Sequence, residues 1–218
     1  MPRLRLAIVE SPNPIDLFED RSEAHALAAT CRLMGHQAAS FFVRSRREFK
    51  ETIRYLASAD SEHAERYPSL PLILHISSHG NSGWMAVGPD AISWEELVED
   101  IKPLIENPDY KGKLVLSLSS CGSGSNTISK SIRRVHGDEA ERLPTYIFSI
   151  TGDSVNWDDA LIAWNLLYLK LSQVGLVDRG KVMTALKEVL AGTGVIFSYS
   201  RWSDGDKKYF RWLADNES

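Results

Sequence analysis

Apolar positions along this chain come in two alternating patterns. Short continuous runs at residues 4–9, 38–43, 70–76, 113–118, 145–150 and 194–199 predict six strands. The run at 70–76 is rich enough in Leu and Ile to be buried on both faces. Between the runs, apolar residues recur every three or four positions. That spacing predicts helices over 19–34, 46–59, from 93 through Leu104, 126–135, 160–171 and 181–190. Gly35 is a natural stop for the first helix. Ser93 with Glu96 three residues later is a capping box that opens the third, and Pro103 lies inside it. Residues 58–67 are polar and read as loop, whereas 208–213 either close the sheet or form a terminal helix. Strands alternating with helices imply a mostly parallel sheet of about six strands covered on both faces. In such folds sites form at the carboxyl ends of the strands. With no biased linker and no internal repeat, residues 1–218 read as a single domain.

Composition narrows the class. Of 218 residues, 43% are hydrophobic and 25% charged, enough apolar side chain to offset the ordering entropy of a folded domain. The 25 Lys and Arg against 29 Asp and Glu leave a net charge of −4, which argues against direct nucleic-acid binding. No run reaches the length of a membrane span. The first apolar run ends at Glu10, too soon for a secretory signal. The two cysteines, Cys31 and Cys121, build neither a disulfide framework nor a zinc site. The expectation is a cytoplasmic protein in a reducing compartment, without metal or organic cofactor.

Two strand ends carry chemistry. The third strand runs out in LILHISSHGNSG, residues 72–83, and the fourth in LVLSLSSCGSG, residues 114–124. Each is an apolar run, two serines, a reactive residue and a glycine. A strand–helix–strand crossover makes the two strands parallel and near neighbours, which brings His79 and Cys121 to the same edge of the sheet. A thiol is mostly protonated at neutral pH, and an adjacent imidazole activates it. Gly80 and Gly122 let the backbone turn sharply and approach a substrate. Backbone N–H groups at Gly80 and Cys121 are candidates for an oxyanion hole, and the helix near 126 would aim its positive end at the thiolate.

These motifs resemble the caspase-like cysteine peptidases, the clan of caspases, metacaspases and separases, with a strand-final His-Gly and a later strand-final Cys-Gly. The caspase His lies about 50 residues before the Cys, and the spacing here is slightly shorter. Within the clan the sequence is most similar to CHAT-type domains. Their His-x-x-Gly-His-Gly is matched by residues 75–80, and their Leu-Ser-Ala-Cys-x-Ser-Gly by residues 118–124. AIVESPNP at 7–14 resembles the family's first strand and loop, and 145–190 the strand, acidic turn and helices after the cysteine. Two positions depart: Ser78 stands for the first glycine of the His motif, and Ser119 stands where caspases have Gln and metacaspases Asp.

The resemblance implies a three-layer α-β-α caspase-like fold and a cysteine endopeptidase acting on a protein or peptide. It further implies control by a separate regulatory protein, in settings such as bacterial antiviral defence or regulated cell death. Two other readings stay open: an inactive interaction module of the same fold, and a nucleotide-responsive domain using the Gly/Ser loop at 122–125. That loop lacks both GxxxxGK[ST] and a full GxGxxG.

Other residues are weighed the same way. Cys31, in a helical apolar stripe, reads as core. His75 shares a strand face with Ile73 and Ser77; it is either a second imidazole of the site or a buried His that orients His79. His25, His36, His63 and His136 read as solvated. Ser119 and Asp153 are candidates for an S1 pocket, Asp153 as an acidic wall selecting a basic P1 residue. Asp158 and Asp159 read as helix N-terminal charges. Trp84, Trp94 and Trp157 suit either a cleft or the core, and Arg44 to Arg47 suit a solvated helix start.

Overall fold

A computed structural model describes residues 4–58, 70–124, 127–137, 143–152 and 154–215. β1 (Arg5–Ser11) leads through a short helix α1 (Pro14–Phe18) to α2 (Glu23–Leu33), β2 (Gln37–Phe42) and α3 (Arg46–Ala57). β3 (Leu72–Ser78) is followed by a hairpin, β4 (Trp84–Val87) and β5 (Asp90–Ser93), and by α4 (Trp94–Ile105). Then come β6 (Leu114–Ser119), α5 (Thr127–His136), β7 (Tyr146–Ile150), α6 (Trp157–Val174), α7 (Arg179–Thr193), β8 (Phe197–Ser203) and β9 (Lys208–Leu213).

The main sheet has seven strands in the order β2-β1-β3-β6-β7-β8-β9. Its first five strands run parallel, β8 pairs antiparallel with β7, and β9 antiparallel with β8. Residues 208–213 therefore close the sheet as a strand. Alternation along the strands sends side chains to two cores. Leu6, Ile8, Ile73 and Val115 face α2, α6 and α7. Ala7, Val9, Leu74, Ile76, Leu116 and Leu118 face α3, α4, α5 and the hairpin. The result is three layers with helices on both faces.

Several differences from the sequence reading have local causes. The helix predicted over 19–34 starts only at Glu23, because Ser22 Oγ caps it by accepting from the His25 amide. A short helix at 14–18 that the periodicity did not predict precedes it, capped by Asn13 Oδ1, which accepts from the Ile15 and Asp16 backbone amides. α2 ends as expected at Gly35, whose φ of +82° lets the His36 amide turn back to Cys31 O. The β4–β5 hairpin has too few residues for a periodic signal; Gly88, at φ +61°, turns its tip. The Ser93–Glu96 capping box is formed as predicted. Most of the polar segment at 58–67, with His63, lies outside the described residues, as does Asn126.

Two surface expectations are corrected. Arg46 is not simply solvated: its guanidinium bonds Asp100 at 2.6 and 3.1 Å and Glu96 at 2.6 Å, tying α3 to α4. His36 is buried, only 6% exposed, beneath the α2–β2 turn, and burial lowers its pKa. His136 is half-buried, with its pKa lowered for the same reason. Trp94 is core and Trp84 is exposed. No described helix is long and apolar enough to cross a membrane.

Candidate active site

β3 and β6 pair directly, with Ser77 opposite Ser119. His79 and Cys121 each follow two residues beyond that pair, so the two chains leave the same edge of the sheet together. Their loops touch. A β-carbon on Gly80 would lie 2.3 Å from Ser120 Oγ, and one on Gly122 would lie 2.5 Å from the Ser82 amide nitrogen. Gly122 also has φ of +68°. Both glycines are thus required by close approach, and Gly122 by its turn as well. Ser78 accommodates its departure from the family motif by donating its hydroxyl to the Ala86 carbonyl in the hairpin.

His79 and Cys121 line one cleft of about 860 Å³ between the sheet edge and the starts of α2 and α6. His79 is exposed and Cys121 half-buried. The rim of Trp157 meets the imidazole edge-on at 5.4 Å, so Trp157 belongs to the cleft. Cys31 is fully buried, and burial pushes its thiol up to about 12, as expected of a core thiol.

Backbone donors are available beside the thiol. Gly80 pairs with Met85 across the hairpin at a position without mutual hydrogen bonds; the bonds run instead from the Ala86 amide to His79 O and from the Asn81 amide to Trp84 O. The Gly80 N–H is therefore turned away from the hairpin. The amides of Gly122, Ser123 and Gly124 are taken by carbonyls of Gly152, Ser120 and Ile150. Those of Gly80 and Cys121 meet no backbone carbonyl among the described residues.

Beneath the cleft lies a buried polar chain whose acids the sequence reading missed. Glu23, at the start of α2, is buried and lines the cleft. Its Oε2 accepts from Ser119 Oγ at 2.8 Å, and its Oε1 lies 2.6 Å from His75 Nε2. A carboxylate accepts only, so His75 Nε2 donates and its Nδ1 takes the Tyr168 hydroxyl at 2.7 Å. His75 is thus held by Glu23 and Tyr168, not against His79. Glu10, at the end of β1, caps α2 from outside: it accepts from Ser22 Oγ and from the Glu23 and Ala24 amides. Its burial raises its pKa, and those bonds pull the other way. A charged residue ending an apolar strand at the carboxyl edge was the legible signal for Glu10. For Glu23 there was only a helix start, and its partners come from remote elements.

Among the described residues, the cleft wall carries Asp20, Glu23 and Asp158 against one guanidinium, Arg21, which bonds Glu19 at 2.8 Å. Asp158 lies in the first turn of α6, as expected for a helix N-terminal charge, and Asp159 beside it. Asp153 lies outside the described residues. Among the described residues no group of three His, Cys, Asp or Glu side chains is placed to hold a metal ion.

No protein-family model and no curated protein matches this sequence. Solved structures do. Caspase-1 from Spodoptera frugiperda aligns over 87% of this chain and 77% of its own, with a TM-score of 0.56 and 16% identity. The crystal structure of drICE aligns over 89% and 85%, with a TM-score of 0.55 and 15% identity. At such identities the likeness is one of architecture: the chain has a caspase-like α-β-α fold.

Proposed function

We propose that the chain is a cysteine endopeptidase with Cys121 as nucleophile and His79 as its proton partner. The observation that carries this reading is their joint placement. Register-matched ends of two adjacent parallel strands bring imidazole and thiol to one cleft, beside the amides of Gly80 and Cys121, which meet no backbone carbonyl among the described residues. The thiol proton passes to the His79 imidazole as Cys121 Sγ attacks the scissile carbonyl. The amides of Gly80 and Cys121 stabilise the tetrahedral oxyanion. On its collapse the C–N bond breaks and His79 protonates the leaving amine. Water then hydrolyses the thioester and restores the thiol.

The S1 pocket is assigned to the cleft wall between Ser119, Glu23, Asp20 and Asp158, and it takes a basic P1 side chain. Three carboxylates outweigh one guanidinium there. The helix ends nearby would attract an anion by only about 0.3–1 kcal/mol each, and Glu23 and Asp158 already occupy their first turns. Asp153, if it completes an acidic wall, adds to the same preference. An unregulated endopeptidase endangers its own cell, so a separate regulatory protein is part of the proposal.

The test is intact-mass labelling with peptidyl electrophiles bearing Arg, Asp or Leu at P1, on the wild type, Cys121→Ala and His79→Ala. A general alkylating agent serves as control. The expected result is an adduct on Cys121, fastest with Arg at P1 and strongly slowed in His79→Ala. If Cys121 labels no faster than with the general agent, alone and with host lysate added, the inactive interaction module replaces this reading.

A further inference from the structure

The side chains of Asn13, which caps α1, and of Asp16, in its first turn, reach the same nitrogen of His79. Asp16 Oδ2 lies 2.8 Å from Nε2, and Asn13 Nδ2 lies 3.0 Å from it. One nitrogen cannot serve both. A carboxylate needs N–H on Nε2, whereas an amide N–H needs its lone pair.

The Asn13 amide is not free to turn over and resolve the conflict. As the cap of α1, its Oδ1 already accepts from the Ile15 amide at 2.8 Å and the Asp16 amide at 3.0 Å. Its Nδ2 is thereby committed to face the imidazole. Asp16 is equally fixed. Its Oδ2 accepts from the Asn13 backbone N–H at 3.2 Å, and its side chain is 5% exposed beside an imidazole that is 45% exposed.

Chemistry decides between them. A hydrogen bond to an ionised acceptor is roughly twice as strong as a neutral one. The Asp16 bond also survives both states that proton transfer visits, because neutral Nε2–H imidazole and imidazolium each keep a proton on Nε2. The Asn13 bond fits only the Nδ1–H tautomer, in which Nδ1 has no lone pair to receive a proton.

We propose that Asp16 is a positioning residue that holds His79 as the Nε2–H tautomer, leaving Nδ1 as the nitrogen that exchanges a proton with the thiol, while Asn13 favours the opposite tautomer. The ring is further steadied by Trp157 at its edge. The part concerning the thiol rests on the endopeptidase reading; the tautomer assignment rests on the hydrogen bonds alone.

The experiment is two-bond 1H–15N correlation on the whole chain labelled with 15N-histidine, at a pH where the ring is neutral. His79→Gln assigns the signal. The wild type is expected to show N–H on Nε2. Asp16→Asn and Asp16→Ala are expected to move it to Nδ1, and Asn13→Ser, which keeps a cap for α1, is expected to leave it on Nε2. Turnover of a basic peptide is read in parallel. Asp16→Asn should lower kcat by roughly 10²–10⁴-fold with little change in KM, the scale seen when a tautomer-fixing carboxylate is neutralised elsewhere. An Nδ1–H wild type, or a tautomer unmoved by both Asp16 variants, overturns the inference. A tautomer that moves in a protein without turnover, both alone and with host lysate added, upholds the assignment of Asp16 and instead sinks the endopeptidase reading.

Discussion

Gly80 lies so close to Ser120 that a β-carbon would come within 2.3 Å of Ser120 Oγ and 2.8 Å of the Trp84 carbonyl oxygen. The Gly80 backbone is therefore packed against the Ser120 side chain of the Cys loop on one side and the Trp84 carbonyl of its own hairpin on the other. Gly80→Ala should force these contacts apart and lower stability by about 2 kcal/mol, the scale of overpacking. Cys121 should label more slowly, because the Gly80 amide moves with its loop. Adding Ser120→Gly should restore only part of both, since the Trp84 carbonyl remains. Urea unfolding and adduct kinetics check this, and an unchanged labelling rate would remove Gly80 from the oxyanion hole.

Glu23 is the hub of the buried polar chain, joined to His75 and Ser119. Glu23→Ala leaves the His75 ring nitrogen and the Ser119 hydroxyl without their acceptor. The expected cost is about 3–5 kcal/mol, that of breaking a buried pair. Combining it with His75→Ala should cost clearly less than the sum of the two, because the partners share one interaction. Strict additivity in a urea double-mutant cycle would contradict the linkage.

Arg46 bridges α3 to Asp100, whose side chain is 2% exposed. Arg46→Ala should lower stability by about 2 kcal/mol, because among the described residues Asp100 is then left with Lys50 alone, at 3.6 Å. Arg46→Lys should rescue little of this, since an ammonium cannot bond Asp100 and Glu96 in the same fork. Thermal unfolding distinguishes the two variants.

His36 is buried, and neither ring nitrogen meets a hydrogen-bond partner among the described residues. Its folded pKa lies below the ordinary value of 6.5 because burial opposes charge. The unfolded chain therefore binds more protons as pH falls below 6.5, so this group's contribution is full above that value and is lost as pH falls through the folded pKa. His136 acts in the same direction. Glu10, whose pKa is raised, acts in the opposite sense: its contribution declines as pH rises above 4.5. His36→Leu should flatten the acid side of the stability profile and add about 1 kcal/mol by removing an unpartnered buried group. Urea midpoints from pH 5 to 8 read both effects; an unchanged acid slope would mean that His36 is not the titrating group.

Periodicity and composition were enough for the layered architecture, since burying one face of each helix and both faces of the central strands leaves few alternatives. They also placed His79 and Cys121 at one edge, because crossover chirality and strand adjacency follow from element order. The cap at Ser93 and the stop at Gly35 are local chemistry and were equally legible. The hairpin at 84–93 was not, being too short for a period to register.

What only the tertiary structure decided is which partners those groups meet. Asp16 and Asn13 reach His79 across 63 and 66 positions of sequence, and Glu23 reaches Ser119 across 96. Pattern reads a residue's own element and the neighbours along it. A hydrogen bond between side chains from different elements depends on register, cap geometry and the depth at which a helix starts against the sheet, and those are fixed only when the layers pack.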